Sequence, residues 1–218
     1  MAHSKTALVL GVLIVAASQA RADVINLATG LDSSGNVWAT GDGLDANWAV
    51  TSADDPENYG SGYTVFPNNA DWYGGWVANS TTSDWIAGNP NVTANGPLTA
   101  TRTFSLDASQ LAGATFADTA WTLDDGGTLT LNGHQLDALS GGNWGSLHSI
   151  TIDPSFLIAG TNTLTMQITD TDNFLEGERF EGTLTVQGRV LTPEPVTMSL
   201  GFAGIALFAR RRARAKKS

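Results

Sequence analysis

The chain has no cysteine. Disulfide staples, thiol nucleophiles and cysteine-ligated metals are excluded, so stability must come from an apolar core. Positive charge is almost missing from the middle. Between Asp23 and Thr192 there are 20 acidic residues, no lysine, and only Arg102, Arg179 and Arg189. That stretch carries 17 net negative charges; the whole-chain value of −10 hides this, because the two ends hold eight cations. Such a surface repels phosphate backbones and anionic lipid, which argues against nucleic acid as a partner. Divalent cations and neutral glycans stay open, as does simple solubility outside a cell. Helical periodicity is nearly absent between the ends, and uncharged apolar runs occur only at the termini.

The termini read as addresses. At the start, His3 and Lys5 precede an apolar run from Ala7 to Ala17, followed by Ala20-Arg21-Ala22. Charged start, short apolar run and small-x-small site predict a secretory signal peptide over 1–22, cut after Ala22 or after Ala20. At the other end, Pro193-Glu194-Pro195 precedes the 14 uncharged residues Val196 to Ala209. As a helix that run spans about 21 Å, short of a bilayer core of about 30 Å. Arg210, Arg211, Arg212, Arg214, Lys216 and Lys217 follow and would stay on the cytoplasmic side. The two prolines keep the preceding chain extended and open to a protease. Motif, short apolar helix and basic tail, in that order at 191–218, resemble the PEP-CTERM sorting signal of Gram-negative bacteria. Thr192 stands where that family commonly has Val. The resemblance implies recognition by an exosortase-type membrane protease, transient membrane insertion through the C-terminal helix, and a link to exopolysaccharide. It places the protein at the cell surface or in the extracellular matrix.

The region 23–190 reads as one all-β domain. Apolar residues alternate with threonine in Leu98 to Leu106, Gly127 to Asn132, Leu147 to Ile152, Asn162 to Thr169 and Gly182 to Gln187. Period-two alternation predicts strands with one buried face. Val24 to Ala28 is a further expected strand, ahead of an Asp-rich loop. Gly, Asn and Asp clusters such as Asp124-Asp125-Gly126-Gly127, Asn132-Gly133 and Gly141-Gly142-Asn143 separate the strands. Many short strands with regular turns predict an antiparallel β-sandwich.

One pattern narrows the expectation. Trp121 leads into the Asp-rich turn, and the next strand ends at Asn132-Gly133. A turn with Gly160 and Asn162 precedes a long alternating strand, and a strand with Gly182 and Leu184 closes. Together with Tyr63-Thr-Val65, Trp76-Val77, Asp84-Trp85-Ile86 and Thr101 to Phe104, this resembles the galactose-binding-like jelly roll over about 63–190. That resemblance speaks to fold; the same architecture hosts sugar binders, lipid-surface binders and structural modules.

Candidate ligand-binding residues are aromatic and lie close together: Trp72, Tyr73 and Trp76, with Trp144 and Asn143 in a Gly-rich loop. Flat rings suit the apolar face of a pyranose. On one strand Trp72 and Trp76 would share a face, with Gly74 leaving room between. The competing expectation is burial, above all for Trp85 and Trp121. Asp170, Asp172, Asn173 and Glu176 gather oxygens in one short stretch and are the candidate metal ligands, with Ca²⁺ the only cofactor suggested. Asp32 to Asn36 is a weaker candidate, and unpaired surface acids are the plain alternative to both. Asp124 and Asp125 form no acid pair on a strand, because adjacent residues point to opposite faces. No nucleophile motif accompanies His134 or His148, so no catalytic residue is assigned. The expectation is an exported, non-catalytic protein that binds or organises exopolysaccharide. A structural coat component is the alternative, and an accessory glycoside hydrolase the third reading.

Overall fold

The computed structural model describes residues 22–38, 43–52, 63–65, 75–89, 97–169 and 175–188. All of these fall within one compact unit, Arg21–Gly188. The signal segment, the Pro193-Glu194-Pro195 motif and the C-terminal apolar run lie outside the described residues. Among those described, no helix is long and apolar enough to cross a membrane.

The described chain folds as an all-β antiparallel sandwich. Its strands are β1 (Ala22–Asn26), β2 (Trp48–Ser52), β3 (Tyr63–Val65), β4 (Trp85–Ala87), β5 (Leu98–Leu106) and β6 (Thr115–Asp124). They continue as β7 (Gly127–Leu131), β8 (His134–Leu139), β9 (His148–Ser149), β10 (Gly160–Ile168) and β11 (Gly177–Gln187). One sheet runs β3-β4-β11-β6-β9, with β1 also paired to β11; the other runs β2-β5-β10-β7-β8. Every strand pair is antiparallel.

The alternating segments explain the core. Leu98, Ala100, Phe104, Leu129, Leu131, Leu164, Met166 and Ile168 of one sheet meet Ile86, Trp121, Leu123, Phe180, Leu184 and Val186 of the other. The Trp48 and Phe180 rings are 6.1 Å apart between centroids. Burying apolar surface at about 25 cal/mol per Å² makes this the main stabilising contribution. Threonines between the core residues take the opposite face of each strand. Asn132 and Gly133 have φ of 52° and 80°, the backbone a tight hairpin between β7 and β8 requires.

Two expected strands are cut short. Leu147 to Ile152 pairs only through β9, and the chain then enters a 3₁₀ turn at Pro154–Phe156, capped by the Asp153 carboxylate. Ladder pairing with β6 ends at Ser149, with one more bond from the Ile150 amide to the Thr119 carbonyl. Trp76-Val77 is not a strand at all, and Gly75 ahead of it has φ of 134°.

Candidate functional site

Trp76, Trp144 and Asn143 come together as the sequence suggests, but as packing. The Trp76 and Trp85 rings stack at 4.2 Å between centroids and 25° between planes. Trp76 lies against Gly177, where an added Cβ would sit 2.5 Å from its ring. Its indole N–H donates to Asp124 Oδ2 at 2.6 Å, and the Trp85 indole donates to the Val77 carbonyl at 2.7 Å. Trp144 packs half-buried on this cluster, and its carbonyl accepts from the Val77 amide at 2.7 Å. The Asn143 carbonyl accepts from Thr122 Oγ1 at 2.8 Å. With one face on Trp85 and its N–H bonded to Asp124, buried Trp76 has little left to offer a sugar. Trp85 and Trp121 are fully buried. Trp72 and Tyr73 lie outside the described residues.

The metal candidates divide similarly. Asp170, Asp172 and Asn173 lie outside the described residues, and Glu176 is buried. Glu178, two residues on, is buried with neither carboxylate oxygen hydrogen-bonded. Burial, followed by the charge of Glu176, pushes its carboxyl well above the usual range. Asp32 Oδ1 is used by its own loop, accepting from Ser34 and Asn36 amides at 2.8 and 2.9 Å. Among the described residues no three His, Asp or Glu side chains converge in a way that could hold a metal ion. Ala22 opens β1 opposite Gln187, while Ala20 lies outside the described residues.

A concavity of the described residues lies elsewhere. An open groove of about 820 Å³ is walled by three chain segments remote in sequence, around Asn26 to Trp38, Asn79 to Asp84, and Glu181 to Thr183. Asp118 completes it, and Asp118 and Glu181 also line a second depression of about 540 Å³. Both volumes fall in the range of small-ligand sites.

A buried clamp builds the groove wall. The Arg179 guanidinium, 1% exposed, donates Nε to Ser83 Oγ at 2.7 Å, Nη1 to the Ala78 carbonyl, and Nη2 to Glu181 Oε1 at 2.7 Å. Glu181 Oε1 also accepts from Ser80 Oγ (2.9 Å), Thr82 Oγ1 (3.0 Å) and Ser83 Oγ (2.9 Å). All of these bonds reach Oε1; none of the described residues donates to Oε2. Burial acts to raise the Glu181 carboxyl, but the hydrogen bonds from Ser83, Ser80, Arg179 and Thr82 outweigh it and hold it below the usual range. The result is a carboxylate whose ionised form is favoured and which has one oxygen fixed in place.

Asp84 stands beside it with the opposite character. It is 1% exposed, and its Oδ2 has no hydrogen-bond partner. Burial lifts its carboxyl to about 7, against the pull of the Arg179 cation and with a push from Asp45. Gly30, at φ 79°, approaches so closely that a Cβ would lie 2.4 Å from the Asp84 Cβ. Asp45 fixes this loop from behind, accepting from the amides of Gly30, Leu31, Asn47 and Trp48. Trp38 is half-buried in the groove wall, its indole N–H buried without a hydrogen-bond partner. Asn26, Asn36 and Thr183 complete the polar lining.

Sequence reasoning passes over Trp38, Asp84, Asp118 and Glu181 as a group because 143 positions separate the first from the last. The local signals are weak: a turn sequence ahead of Trp38, and one Glu before the bulge at Gly182.

No protein-family model matches the chain, and no curated protein matches it. A solved structure of a family 35 carbohydrate-binding module from an environmental isolate is similar, with 20% identity over 67% of this chain and 96% of that one, at a TM-score of 0.32. A likeness at that level does not extend to a ligand.

Proposed function

We propose that this chain is a non-catalytic glycan-binding sandwich that takes sugar in the groove of Trp38, Asp84 and Glu181. The observation that carries the reading is the anchoring of Glu181. Four side chains hold one of its oxygens at the wall of an open groove, and none of the described residues donates to the other. A fixed acceptor suits a sugar hydroxyl, because no side-chain order has to be created on binding. A half-buried indole beside amides and hydroxyls supplies the mixture of apolar surface and polar groups that sugar rings need.

Hydrolysis is the weaker reading for this groove. A glycosidase needs an acid that reaches the glycosidic oxygen. Asp84 has the shifted carboxyl for that role, but it is 1% exposed. Glu181, the ionised member, has one oxygen already saturated.

The terminal patterns extend the proposal. A signal segment over 1–22 and a PEP-CTERM-like end over 191–218 would export the chain and pass it to an exosortase-type protease. The groove would then meet exopolysaccharide at the surface or in the matrix of a Gram-negative bacterium. Affinity electrophoresis of the full chain through gels containing the host's exopolysaccharide tests the binding half. Retardation that Glu181→Gln abolishes supports it; unchanged mobility at every polysaccharide concentration contradicts it and leaves a structural coat component. Pulse-chase of a variant with Pro193, Glu194 and Pro195 all changed to Ala tests the sorting half, which fails if processing is unaltered.

A further inference from the structure

Resting on the glycan reading, we propose that the groove selects glycans carrying free amino groups, with Asp118 and Glu181 receiving the ammonium. The argument begins with charge. Among the described residues the groove is lined by three acids, Asp84, Asp118 and Glu181, and by no Lys, Arg or His. The nearby cation, Arg179, is buried, and its guanidinium is used by Ser83, Ala78 and Glu181. A uronate or a sulfated sugar would find carboxylates and no counter-charge. Glu181 has Arg179 as its ion pair, but Asp118 has no such partner among the described residues, and a neutral sugar brings it none. An ammonium supplies one.

Geometry locates the contact. Asp118 and Glu181 line both the 820 Å³ groove and the 540 Å³ depression beside it. Asp118 is exposed and held at φ of 53°, a conformation unusual for any residue but Gly, Asn or Asp, opposite the β-bulge between Glu181 and Thr183. Two adjoining depressions with a shared acidic wall fit neighbouring sugar units of one chain, with amino groups directed at that wall. Glu181 offers Oε2, since its other oxygen is tethered. An ammonium donates up to three hydrogen bonds and accepts none, so it complements acceptor-only carboxylates.

Asp84 supplies the independent observation. It is a buried acid in the groove wall whose Oδ2 has no hydrogen-bond partner. Such a group normally finds a partner; Oδ2 is itself enclosed, so a cation bound in the groove would act on Asp84 through its field rather than by a direct hydrogen bond. Its carboxyl titrates at about 7, so a cation placed nearby drives its proton off. At pH 7 Asp84 then gives up a proton on binding, while the amine takes up whatever proton it lacks to become an ammonium.

The test is calorimetric titration of the full chain with three probes: the fully deacetylated β-1,4-glucosamine hexamer, its fully N-acetylated counterpart, and an oligouronate of similar length. At pH 6 and low salt the amino hexamer is expected to bind at least about tenfold more tightly than the acetylated one, with no uronate binding. The advantage should shrink as salt is raised. At pH 7 the binding heat should depend on the ionisation enthalpy of the buffer. Asp118→Asn and Glu181→Gln should each erase most of the advantage. Asp118 is exposed, so its variant reports even if Glu181→Gln disturbs the clamp.

Asp125→Asn, in the turn between β6 and β7, controls for attraction by the acidic surface as a whole. If it weakens amino-hexamer binding as much as Asp118→Asn does, the proposal is overturned. Equal affinity for the two hexamers, or preference for the uronate, also overturns amine selection and leaves the glycan reading standing. If none of the probes and no exopolysaccharide binds, both fall together.

Discussion

The tryptophan cluster and the groove around Glu181 divide the work that the sequence assigned to one place. Trp76 and Trp85 are buried against each other and against Gly177, and Trp144 packs half-buried on the pair. The groove has one half-buried indole, Trp38, and gathers its polar groups from distant segments. Density of aromatics along a chain therefore reports packing demand as readily as binding. What marks a site is a polar group held still at an opening.

Paired substitutions break the comparison if it is wrong. Trp76→Ala should cost about 3–5 kcal/mol in urea unfolding while the folded fraction keeps its glycan affinity. Trp38→Ala should do the reverse, lowering affinity about tenfold, equivalent to about 1.4 kcal/mol, with a smaller stability loss. Equal effects of the two on affinity would erase the distinction. Arg179→Ala leaves Glu181 and the Ser83 hydroxyl without their buried partner. It should cost about 3–5 kcal/mol and weaken glycan binding as well, so the same titration sees both losses.

Smaller effects sharpen the electrostatic side. Glu178 is buried with both oxygens unbonded, so Glu178→Met should raise stability at pH 8 by about 1–3 kcal/mol. Its folded carboxyl lies above its unfolded value, so the wild-type residue is least harmful when protonated. The gain should shrink as pH falls toward 4, read by urea unfolding at both pH values. Asp84 has the same sign. Its carboxyl is raised from 3.8 to about 7, so its contribution is full below about 3.8 and is lost as pH rises through about 7. Asp84→Asn should flatten the fall in melting temperature between pH 4 and 8; an unchanged slope would mean the carboxyl is not shifted.

Much of the architecture was legible because β-alternation is a local code. Leu98 to Leu106 matches β5 end for end, and Gly127 to Asn132 overruns β7 by one residue. The turn at Asn132-Gly133 follows from residues that tolerate positive φ. After Ser149 the strand ended earlier than the alternation predicts, ahead of the 3₁₀ turn at Pro154–Phe156. The site was much less legible. Arg179 enters the sequence reading only as one of three arginines, yet it is buried and organises the Ser80 to Ser83 segment, about a hundred residues away. Glu181 acquires its role only from that clamp. The flat Trp76 ring reads as a sugar platform until Gly177 is seen to make room for it. Such relations are set by tertiary contact, and spacing along one sequence does not encode them.

The most direct measurement is calorimetric titration of the full chain and of its Trp38→Ala and Trp144→Ala variants with the host's exopolysaccharide. The account predicts saturable heat for the unmodified chain, retained in Trp144→Ala and lost or weakened at least about tenfold in Trp38→Ala. Binding unaffected by Trp38→Ala but lost in Trp144→Ala would return the site to the tryptophan cluster and contradict the account.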